Sequence, residues 1–353
     1  MKLGIIGTGR IAKRFVPEAL IAGGIDVTAA YNPHEGSAER FLREIGSSIG
    51  IAVNEKPRSY RNITPLTDLE ELWSCTDAVY IASPHETHVH YIMEALSRGK
   101  HVLCEKPMAL KAEEAGTCLK LADERALVLM EGIKTAWCPG YRKLVETAKS
   151  GIIGDIRHIE ACFTKLEDKG KRELIDIKYG GSFTELGSYV MLPIIDIFGA
   201  GYEDIRFSEI DNELDIDIFT RADFTYRDGL ATATCGLGVK KEGSLLISGA
   251  LGYIKAEAPW WKTRVFEINF EDPAKSVRYE EPFEGEGLRY EIREFLRRIK
   301  TGSGIKITGH ENKTAGYPSC ADNPGENRCP EKEKERSLIM AEVIERFMSI
   351  RRR

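Results

Sequence analysis

The chain begins Met1-Lys-Leu-Gly-Ile-Ile-Gly-Thr-Gly-Arg-Ile-Ala12, and this stretch decides the fold. Its apolar run, Leu3 to Ile6, stops at Gly7-Thr-Gly9 and resumes at helical spacing with Ile11, Phe15 and Ala19. The pattern predicts a strand, a tight turn and a helix. Such a turn is typical of dinucleotide binding, because the main chain can approach a pyrophosphate that faces the N-terminus of the helix.

Each small residue of the turn has a separate predicted role. Gly7 makes the tight bend, Gly9 leaves room for the pyrophosphate, and Ala12 lets the helix pack closely on the strand. A glycine turn also joins strands to helices in proteins that bind no nucleotide, so the motif alone is weak evidence. The strand-helix units that follow it favour the dinucleotide site. We therefore take as candidate cofactor-binding residues Gly7, Thr8, Gly9, Arg10 and Ile11.

Length and composition indicate a globular protein with more than one core. The chain has 353 residues, of which 42% are hydrophobic and 30% charged, and its net charge is −5. Two domains are expected at this length. The charge balance does not favour a nucleic-acid partner. No apolar stretch is long enough to span a bilayer, and the first residues lack the apolar core of a signal peptide, so we expect a cytoplasmic protein with no membrane partner.

The eight cysteines are spread along the chain, and no two of them form a Cys-x-x-Cys pair. Most lie in apolar segments, so we expect reduced, mostly buried thiols and no metal site. Cys320 and Cys329 lie in a polar segment, where they could bind a metal or form a disulfide. We expect them to be unpaired loop residues, and the role of their segment stays open.

Strands and helices alternate through the first third of the chain. Predicted strands are Val27–Tyr31, Ala78–Ala82, His101–Cys104 and Leu127–Met130; predicted helices are Ser37–Glu44, Leu69–Trp73, His88–Arg98 and Ala112–Glu124. This alternation predicts an α/β domain with a doubly wound parallel sheet over residues 1–131. The polar stretch Gly46 to Pro65 is expected to be an irregular surface excursion of unassigned role.

The pattern changes after Gly132, and residues 132–353 form the second predicted domain. After a helix at Tyr141–Lys149, the predicted strands are Ile156–Phe163, Asp217–Tyr226, Leu230–Val239, Ser244–Ala250, Tyr253–Glu257 and Arg264–Asn269. Short turns between successive strands predict an open, largely antiparallel sheet in an α+β domain. A helix at Leu288–Ile299, a loop-rich segment at Gly309–Lys332 and a last helix within Glu333–Met348 complete the prediction.

Two polar segments follow strands of the first domain. Ser83-Pro-His-Glu-Thr-His88 lies at the carboxyl end of one strand, the edge where open α/β sheets bind ligands. The next strand ends at Glu105-Lys106-Pro107. A lysine held there can hydrogen-bond a substrate hydroxyl and exchange a proton with it. Glu-Lys-Pro at a strand end is, in isolation, more typical of a solvated loop.

A third segment, Tyr179 to Gly199, is predicted to be helical from about Phe183. Glu185 and Tyr189 are then four residues apart on one face of the helix. In an isolated segment such a pair is most often an exposed hydrogen-bonded pair. Beside a cofactor site, the acid and the phenol can instead act on the same substrate.

Together these segments resemble the Gfo/Idh/MocA family of NAD(P)-dependent oxidoreductases, named after glucose-fructose oxidoreductase, inositol dehydrogenase and MocA. The resemblance runs from Met1 to about Gly199, with a fainter continuation at Gly249–Gly252 and Glu291–Phe295. It is carried by the motifs GxGxxA, Ser83-Pro-x-x-x-His88, Gly99-Lys-His-Val-x-x-Glu105-Lys-Pro107, Pro139-x-Tyr-Arg-Lys143 and Gly180-Gly-x-x-x-Glu185-x-Gly-x-Tyr189.

The resemblance implies a Rossmann domain followed by an α/β domain whose open sheet often forms a dimer interface. It also implies hydride transfer between a nicotinamide and a carbinol carbon of a sugar, polyol or sugar derivative. Lys106 matches the family's catalytic lysine. Glu185 stands where the family usually has aspartate, and Tyr189 where it has histidine or tyrosine, so these three are the candidate catalytic residues. Further candidate cofactor contacts are Ser83, Pro84, His88, Glu105 and Lys106 itself.

The longer carboxylate of Glu185 leaves the substrate open, because it shifts the group that accepts a substrate hydrogen bond. The cofactor is also open. The end of the second strand reads Tyr31-Asn32-Pro33-His34, with no acid for a ribose hydroxyl and no arginine directly after it for a 2′-phosphate. Asn32 is a candidate for either cofactor, and Arg10 can reach toward the adenine or a 2′-phosphate. We expect NAD or NADP, with a slight preference for NAD.

The main hypothesis is a sugar or polyol dehydrogenase in which Tyr189 or Lys106 exchanges the hydroxyl proton. One alternative is a redox-neutral lyase- or hydrolase-like enzyme that keeps its NAD. Another is a nicotinamide-binding regulatory protein that has lost turnover. A homodimer or homotetramer through the second domain's sheet is expected from the resemblance. Other residues that either contact substrate or serve as packing and surface residues are Glu131, Lys134, Trp137, Lys165 and Arg172.

Overall fold

The computed structural model describes residues 1–52, 62–302 and 330–351, with only the main chain described for residues 47–52. Two sheets form within this part of the chain, one of six strands and one of eight. The first is parallel and the second mostly antiparallel, so the predicted fold class is confirmed.

The first sheet has the strand order β3-β2-β1-β4-β5-β6. Its strands are β1 Lys2–Ile6, β2 Asp26–Tyr31, β3 Thr64–Leu66, β4 Ala78–Ile81, β5 His101–Glu105 and β6 Leu129–Gly132. The helices between them are α1 Arg10–Ala22, α2 Ser37–Ala52, α3 Leu69–Cys75, α4 His88–Ser97 and α5 Ala112–Glu124. All four residues of β4 are buried, as expected for a central parallel strand covered on both faces.

The strand order reverses between β1 and β4. From β1 the chain moves outward to β2 and β3, and then returns to the other side of β1 with β4. At such a switch point the loops after the two strands diverge and leave a crevice at the carboxyl edge of the sheet. The glycine turn after β1 and the loop after β4 border this crevice.

The second sheet has the strand order β14-β13-β12-β11-β7-β10-β9-β8. Its strands are β7 Ile156–Thr164, β8 Tyr202–Asp211, β9 Asp217–Tyr226, β10 Gly229–Gly236, β11 Leu245–Gly249, β12 Gly252–Ala256, β13 Val265–Phe270 and β14 Val277–Glu280. The pair β7 and β10 is parallel, and the other pairs are antiparallel. The helices of this part are α6 Pro139–Lys149, α7 Arg172–Ile175, α8 Ser182–Phe198, α9 Leu288–Thr301 and α10 Pro330–Arg351.

The last two helices return to the first domain. Arg289 of α9 pairs with Glu18 of α1 at 2.7 Å, and Lys334 of α10 pairs with Asp123 of α5 at 2.6 Å. Helix α10 also packs on α8, where Arg336 pairs with Asp196 at 3.1 Å. The first two contacts connect the last helices of the chain to helices of the first domain. The domain boundary near residue 131 stays a prediction. It divides the chain in sequence, but α9 and α10, which follow it, contact helices of the first domain.

Three strands were missed by the sequence analysis, and each is at the edge of a sheet. β3 contains Pro65, which an edge strand tolerates because one side of it needs no hydrogen bond. β8 and β14 are mostly exposed and therefore lack the apolar alternation that marks a half-buried strand. The predicted strand Leu230–Val239 also ends earlier, at Gly236.

Two predicted irregular segments are shorter than expected. Helix α2 continues through Gly46 to Ala52, so the first part of the Gly46–Pro65 excursion is helical. Helix α10 begins at Pro330, so the end of the Gly309–Lys332 loop is helical too. Proline suits a first helical position because the N–H that it lacks would have no helical partner there. Residues 53–61 and 309–329 of these segments, with Cys320 and Cys329, lie outside the described residues, and the first segment ends in β3.

The cysteines of the described residues are free thiols, and five of these six are buried. Within the same residues, no helix combines the length and the apolar character that crossing a membrane requires.

Candidate functional site

A cavity of about 660 Å³ opens at the switch point of the first sheet. One wall consists of the glycine turn and the ends of β4 and β5, and the other of the start of α8 and the segment before it. The structure brings all the predicted catalytic and cofactor-binding residues to this cavity: Gly7, Thr8, Gly9, Arg10, Ile11, Asn32, Ser83, Pro84, His88, Glu105, Lys106, Glu185 and Tyr189. Their individual roles remain predictions.

The two glycines of the turn have different surroundings. Gly7 has φ +96°, and a Cβ there would lie 2.5 Å from the carbonyl oxygen of Ala82, so this position needs glycine for the fold itself. A Cβ on Gly9 would meet only the same oxygen, at 4.0 Å. The space beside Gly9 is therefore open toward the cavity.

The N-terminus of α1 has the features of an anion site. Gly9 caps the helix without a side-chain hydrogen bond, and no acidic residue lies in the first turn. The free N–H groups of a helix start, with the positive end of its dipole, bind phosphate well. The open space at Gly9 and the free N–H groups at the start of α1 fit the pyrophosphate of a dinucleotide. The residues that would hold it are Gly9, Arg10 and Ile11.

Asn32 follows β2 and is linked to the glycine turn. Its Nδ2 donates to the hydroxyl of Thr8 at 2.7 Å, and its Oδ1 accepts from the main-chain N of His34 at 2.9 Å. Both ends of the amide are thus held in place at the cavity wall. Asn32 offers neither the negative charge that repels a 2′-phosphate nor the positive charge that attracts it.

His88 joins the two loops that border the cavity. Its Nδ1 lies 2.8 Å from the carbonyl oxygen of Pro107, and its Nε2 lies 2.9 Å from that of Ser83. The ring is buried, and this burial lowers its pKa. The two ring nitrogens are therefore occupied by main-chain contacts, so His88 shapes the site by fixing the loops after β4 and β5.

Lys106 comes directly after β5 and is only 8% exposed. Its Nζ donates a 2.7 Å hydrogen bond to the main-chain carbonyl oxygen of Glu185. The preceding residue, Glu105, accepts a 2.6 Å hydrogen bond from the hydroxyl of Tyr80. Burial raises the pKa of Glu105, although Lys106 and Tyr80 both oppose this shift.

Helix α8 is held at its start by a buried aspartate of β9. The main-chain N of Phe183 donates to Asp217 Oδ2 at 2.8 Å, and Arg351 pairs with Asp217 Oδ1 at 3.0 Å. Asp217 is fully buried, and burial raises its pKa to about 6. This anchor fixes the first turns of α8, which carry Glu185 and Tyr189.

Glu185 and Tyr189 lie on one face of α8 beside Lys106, as the four-residue spacing predicts. Lys106 Nζ lies 3.7 Å from Glu185 Oε1 and 5.5 Å from the centre of the Tyr189 ring. Burial, together with the charges of Glu105, Glu291 and Glu185, raises the pKa of Tyr189 well above 10. The phenol therefore keeps its proton at neutral pH, which suits a proton donor.

The carboxylate of Glu185 also faces two further side chains. His85 Nε2 lies 3.4 Å from Oε2, and Arg10 lies 4.0 Å from Oε1. Burial and the nearby charge of Lys106 lower the pKa of His85 well below 6.5, so this ring is neutral. The distances to Lys106 and His85 exceed a usual hydrogen bond, which leaves the carboxylate able to accept from a ligand.

The guanidinium of Arg10 is paired with acids of the second domain. It pairs with Glu167 at 2.9 Å and with Glu173 at 3.1 Å, both in the segment between β7 and α8. The sequence could not show this, because the two acids are far from the glycine turn along the chain. Arg10 thus links the predicted cofactor turn to the second domain.

Several cavity residues were missed by the sequence analysis. His85 lies within the quoted Ser83–His88 segment, and its polar character was the available signal. Four more, Tyr179, Gly180, Gly181 and Leu186, stand in the Tyr179–Gly199 segment, and two come from the first domain, Arg14 in α1 and Ala82 directly after β4. The others come from the end of β7, the segment after it and the end of β10, which no motif marks. The missed residues are Arg14, Ala82, His85, Phe163, Glu167, Lys171, Glu173, Tyr179, Gly180, Gly181, Leu186 and Leu237.

Of the five additional residues considered from the sequence, Lys165 and Arg172 line the cavity. The other three have contacts elsewhere. Glu131 accepts from the main-chain N of Met108 at 2.8 Å, Lys134 donates to the carbonyl oxygen of Glu286 at 2.7 Å, and Trp137 lies under the Arg298 guanidinium at 5.0 Å. In the ranges that the structure describes, no cluster of histidine, cysteine and acidic residues could hold a metal ion.

Comparison with known proteins agrees with this geometry. Residues 1–133 match the Gfo/Idh/MocA family model, described as an oxidoreductase family with an NAD-binding Rossmann fold. The dTDP-3,4-didehydro-2,6-dideoxy-α-D-glucose 3-reductase of Actinomadura kijaniata is 30% identical over 275 residues, which cover 75% of each chain. This chain belongs to the Gfo/Idh/MocA family.

A second family member matches over a shorter stretch. The scyllo-inositol 2-dehydrogenase (NADP⁺) IolU of Bacillus subtilis is 29% identical over 214 residues, 57% of this chain and 59% of IolU. The chain thus matches less than two thirds of the length of that relative.

The fold of the Gfo/Idh/MocA family extends over nearly the whole chain. The crystal structure of KijD10, a 3-ketoreductase from Actinomadura kijaniata in complex with TDP-benzene and NADP, superimposes with a TM-score of 0.74. The superposition covers 98% of this chain and 95% of KijD10 at 23% identity. At that identity the likeness concerns the fold.

Proposed function

We propose that the chain is an NAD(P)-dependent oxidoreductase that acts on a CH–OH group of a sugar, polyol or sugar derivative, or on the corresponding carbonyl. The observation that carries the proposal is the position of Lys106. Its Nζ is bound to the main chain of α8, within 3.7 Å of Glu185 Oε1 and beside the ring of Tyr189. All three groups line the same cavity as the glycine turn.

A bound nicotinamide supplies or accepts the hydride. The protein's own groups manage the hydroxyl proton. In the reducing direction Tyr189 is the proposed donor to the carbonyl oxygen, because its phenol is protonated at neutral pH and its ring lies beside Lys106 in the cavity. In the oxidising direction Tyr189 or Lys106 first releases its own proton to solvent and then takes the hydroxyl proton as the carbon loses its hydride, so each turnover releases one proton and transfers one hydride.

Glu185 and Lys106 orient the substrate. The carboxylate accepts hydrogen bonds from substrate hydroxyls, and the ammonium group donates to the reacting oxygen. The preformed contact between Lys106 and the carbonyl oxygen of Glu185 fixes the lysine before substrate arrives. Such preorganisation lowers the cost of bringing donor and substrate into a reactive geometry.

The choice between the two cofactors is not set by a single charged residue. Asn32, the candidate ribose ligand at the end of β2, is neutral. IolU is named for its NADP⁺ dependence and KijD10 was crystallised with NADP. These relatives make NADP at least as suitable as NAD, and we propose that the chain accepts both.

The two alternatives gain no support from the site. A redox-neutral enzyme would use the same cavity and the same proton-exchanging groups, so only net turnover of the cofactor separates it from a dehydrogenase, whereas a regulatory protein needs no buried lysine and phenol beside the cofactor turn. The relatives with which the chain was compared are named dehydrogenases and reductases. We keep the oxidoreductase as the single proposed function.

The second sheet is proposed to bind a second copy of the chain. Helix α8 covers one face, whereas the opposite face carries the exposed residues Arg221, Thr225, Leu230, Tyr253 and Lys255. A homodimer would cover this face, and light scattering after size-exclusion chromatography measures it. A monomer at micromolar concentration would contradict this assembly. We also propose a cytoplasmic location, in line with the free thiols of the described cysteines.

The proposed function is tested with a substrate panel of aldoses, inositols, sugar acids and nucleotide sugars. Each is assayed in both directions with NAD(H) and NADP(H), following nicotinamide absorbance and product by mass spectrometry. We expect net cofactor oxidation or reduction, matched mole for mole by product. Product without net redox change would replace the proposal with the redox-neutral alternative.

A further inference from the structure

Phe163, near the end of β7, forms an apolar part of the cavity wall. Its ring is stacked on Trp261, with centroids 3.7 Å apart and planes inclined by 5°. On another side it contacts the Tyr189 ring at 5.2 Å and 59°. The stack of Phe163 and Trp261 is called the aromatic platform below, and it lies next to the proposed proton donor.

Neighbouring residues hold Trp261 in place. A Cβ on Gly243 would lie 2.3 Å from Trp261 Cζ3 and 2.6 Å from Cη2, so the missing side chain is what makes room for the indole. The hydroxyl of Thr135 donates to the main-chain oxygen of Trp261 at 2.9 Å. The adjacent Trp260 is fully buried and donates to the carbonyl oxygen of Cys162 at 2.9 Å. The platform is therefore a rigid surface.

The remainder of the nearby wall is strongly polar. Lys106 comes from the end of β5 and Glu185 from α8, and Lys165, Glu167 and Arg172 come from the segment before α8. A ligand that contacts both surfaces needs hydroxyl groups at its edge and an apolar face. A ring compound with hydroxyl groups has such a face in the C–H groups of the ring, whereas an open-chain polyol has no fixed flat face.

We infer that the aromatic platform selects cyclic substrates, with the C–H face of a pyranose, an inositol or another cyclic diol lying against Phe163. The inference rests on the proposed function, because it names the substrate class of the same cavity. Phe163 and Trp261 act in binding: Phe163 contacts the ring, and Trp261 holds Phe163 in place. Neither exchanges a proton.

The test compares ring compounds with open-chain counterparts of equal carbon number. The ring probes are methyl glucopyranosides, inositols and cyclohexane-1,2-diols, and the open-chain probes are hexitols and hexane-1,2-diols. Binding is followed by tryptophan fluorescence of the full chain, with or without cofactor, so turnover is not needed. We expect wild type to bind ring probes more tightly, and Phe163→Leu to weaken their binding by about three- to tenfold.

Gly243→Ala tests the aromatic platform without replacing a residue that lines the cavity. The added methyl group must displace Trp261, so we expect it to weaken ring probes as Phe163→Leu does. Gly201→Ala is the matched control, because a Cβ there has nothing within 4 Å. Binding of open-chain probes should be equal in all four proteins. Thermal unfolding and cofactor affinity check that each variant is folded.

Three results would overturn the inference: no ring probe binds wild type, open-chain probes bind as tightly as ring probes, or Phe163→Leu weakens both classes equally. The proposed function can fail separately. Ring-selective binding without turnover of any substrate would leave the platform in place and remove the oxidoreductase. Turnover of ring and open-chain substrates with equal kcat/KM would support the oxidoreductase and rule out selection by the aromatic platform.

Discussion

The Nζ atom of Lys106 donates a 2.7 Å hydrogen bond to the main-chain carbonyl oxygen of Glu185. The lysine comes from the parallel sheet of the first domain and the carbonyl from the first turns of α8. The contact joins the two parts of the cavity at the proposed reaction centre. Because the acceptor is a main-chain atom, this hydrogen bond is kept when the side chain of residue 185 is changed.

Glu185→Gln should therefore change substrate binding more than chemistry. The amide keeps the shape of the side chain and the Lys106 contact but weakens the hydrogen bond accepted from a substrate hydroxyl. We expect KM to rise about 10- to 100-fold, with kcat changed by less than about threefold. Steady-state kinetics on the best substrate measures both. An unchanged KM with a large fall in kcat would give Glu185 a role in proton transfer instead.

Tyr189→Phe should remove the proton donor and leave the cofactor site intact. We expect turnover to fall by ~10²–10⁴-fold, with cofactor affinity nearly unchanged. Because the pKa of Tyr189 lies well above 10, ionisation of this phenol should cause no loss of wild-type reductase activity between neutral pH and about pH 9. Stopped-flow reduction rates and calorimetry provide the two readouts. A wild-type rate in the variant would transfer the donor role to another group.

Gly9→Val should abolish cofactor binding without unfolding the protein. The space beside Gly9 is open toward the cavity, so a side chain there takes the volume needed by a pyrophosphate. Gly7→Val is the contrasting variant, because its Cβ would meet the main chain at 2.5 Å, and we expect it to destabilise the fold. Calorimetry with NAD(H) and NADP(H), together with thermal unfolding, separates the two. Normal affinity of Gly9→Val for both cofactors would show that the site is elsewhere.

The wild-type protein should distinguish NAD from NADP by less than about a hundredfold, or about 2.7 kcal/mol. Asn32→Asp should raise the preference for NAD at least about tenfold, because a carboxylate accepts from the ribose hydroxyl and repels a 2′-phosphate. Binding curves for the four cofactor forms check both statements. A larger preference in wild type would indicate a ribose ligand other than Asn32.

Asp217 should make stability depend on pH. Its pKa is about 6 in the folded chain, because of burial, against 3.8 for an exposed aspartate. Between these values the folded state holds the proton more tightly, so raising the pH favours unfolding. We expect the free energy of unfolding of wild type, relative to Asp217→Asn, to fall by about 2 kcal/mol from about pH 4 to about pH 7. Urea denaturation at both pH values measures it, and a rise over this range would have the wrong sign.

Much of the fold could be predicted because the central strands carry their own signal. β4, for example, is entirely apolar, and β9 was predicted with its observed bounds. Edge strands such as β8 and β14 are solvated on one side and carry polar residues, so periodicity does not mark them. The return of α9 and α10 to the first domain was equally hidden, because it depends on long-range pairs such as Arg289 with Glu18.

The site residues also fall into those that the sequence predicted and those that it did not. Residues in local motifs, such as Gly9, Lys106 and Tyr189, could be assigned to one cavity because strand ends and helix spacing place them. The direction of Arg10 could not, since Glu167 and Glu173 approach it from a segment with no motif. Phe163 was also missed, because an aromatic residue in a strand is usually packed in the core, and only the tertiary structure shows that its ring reaches the cavity.

Lys106→Met gives the most direct measurement of the central claim, that Lys106 acts on the substrate in the cofactor cavity. Lys111→Met is the matched control, since Lys111 is exposed and pairs only with Glu114 among the described residues. Single-turnover rates with saturating cofactor should fall by ~10²–10⁴-fold in Lys106→Met and stay at the wild-type value in Lys111→Met, with equal cofactor affinity in all three proteins. A wild-type rate in Lys106→Met would contradict the account.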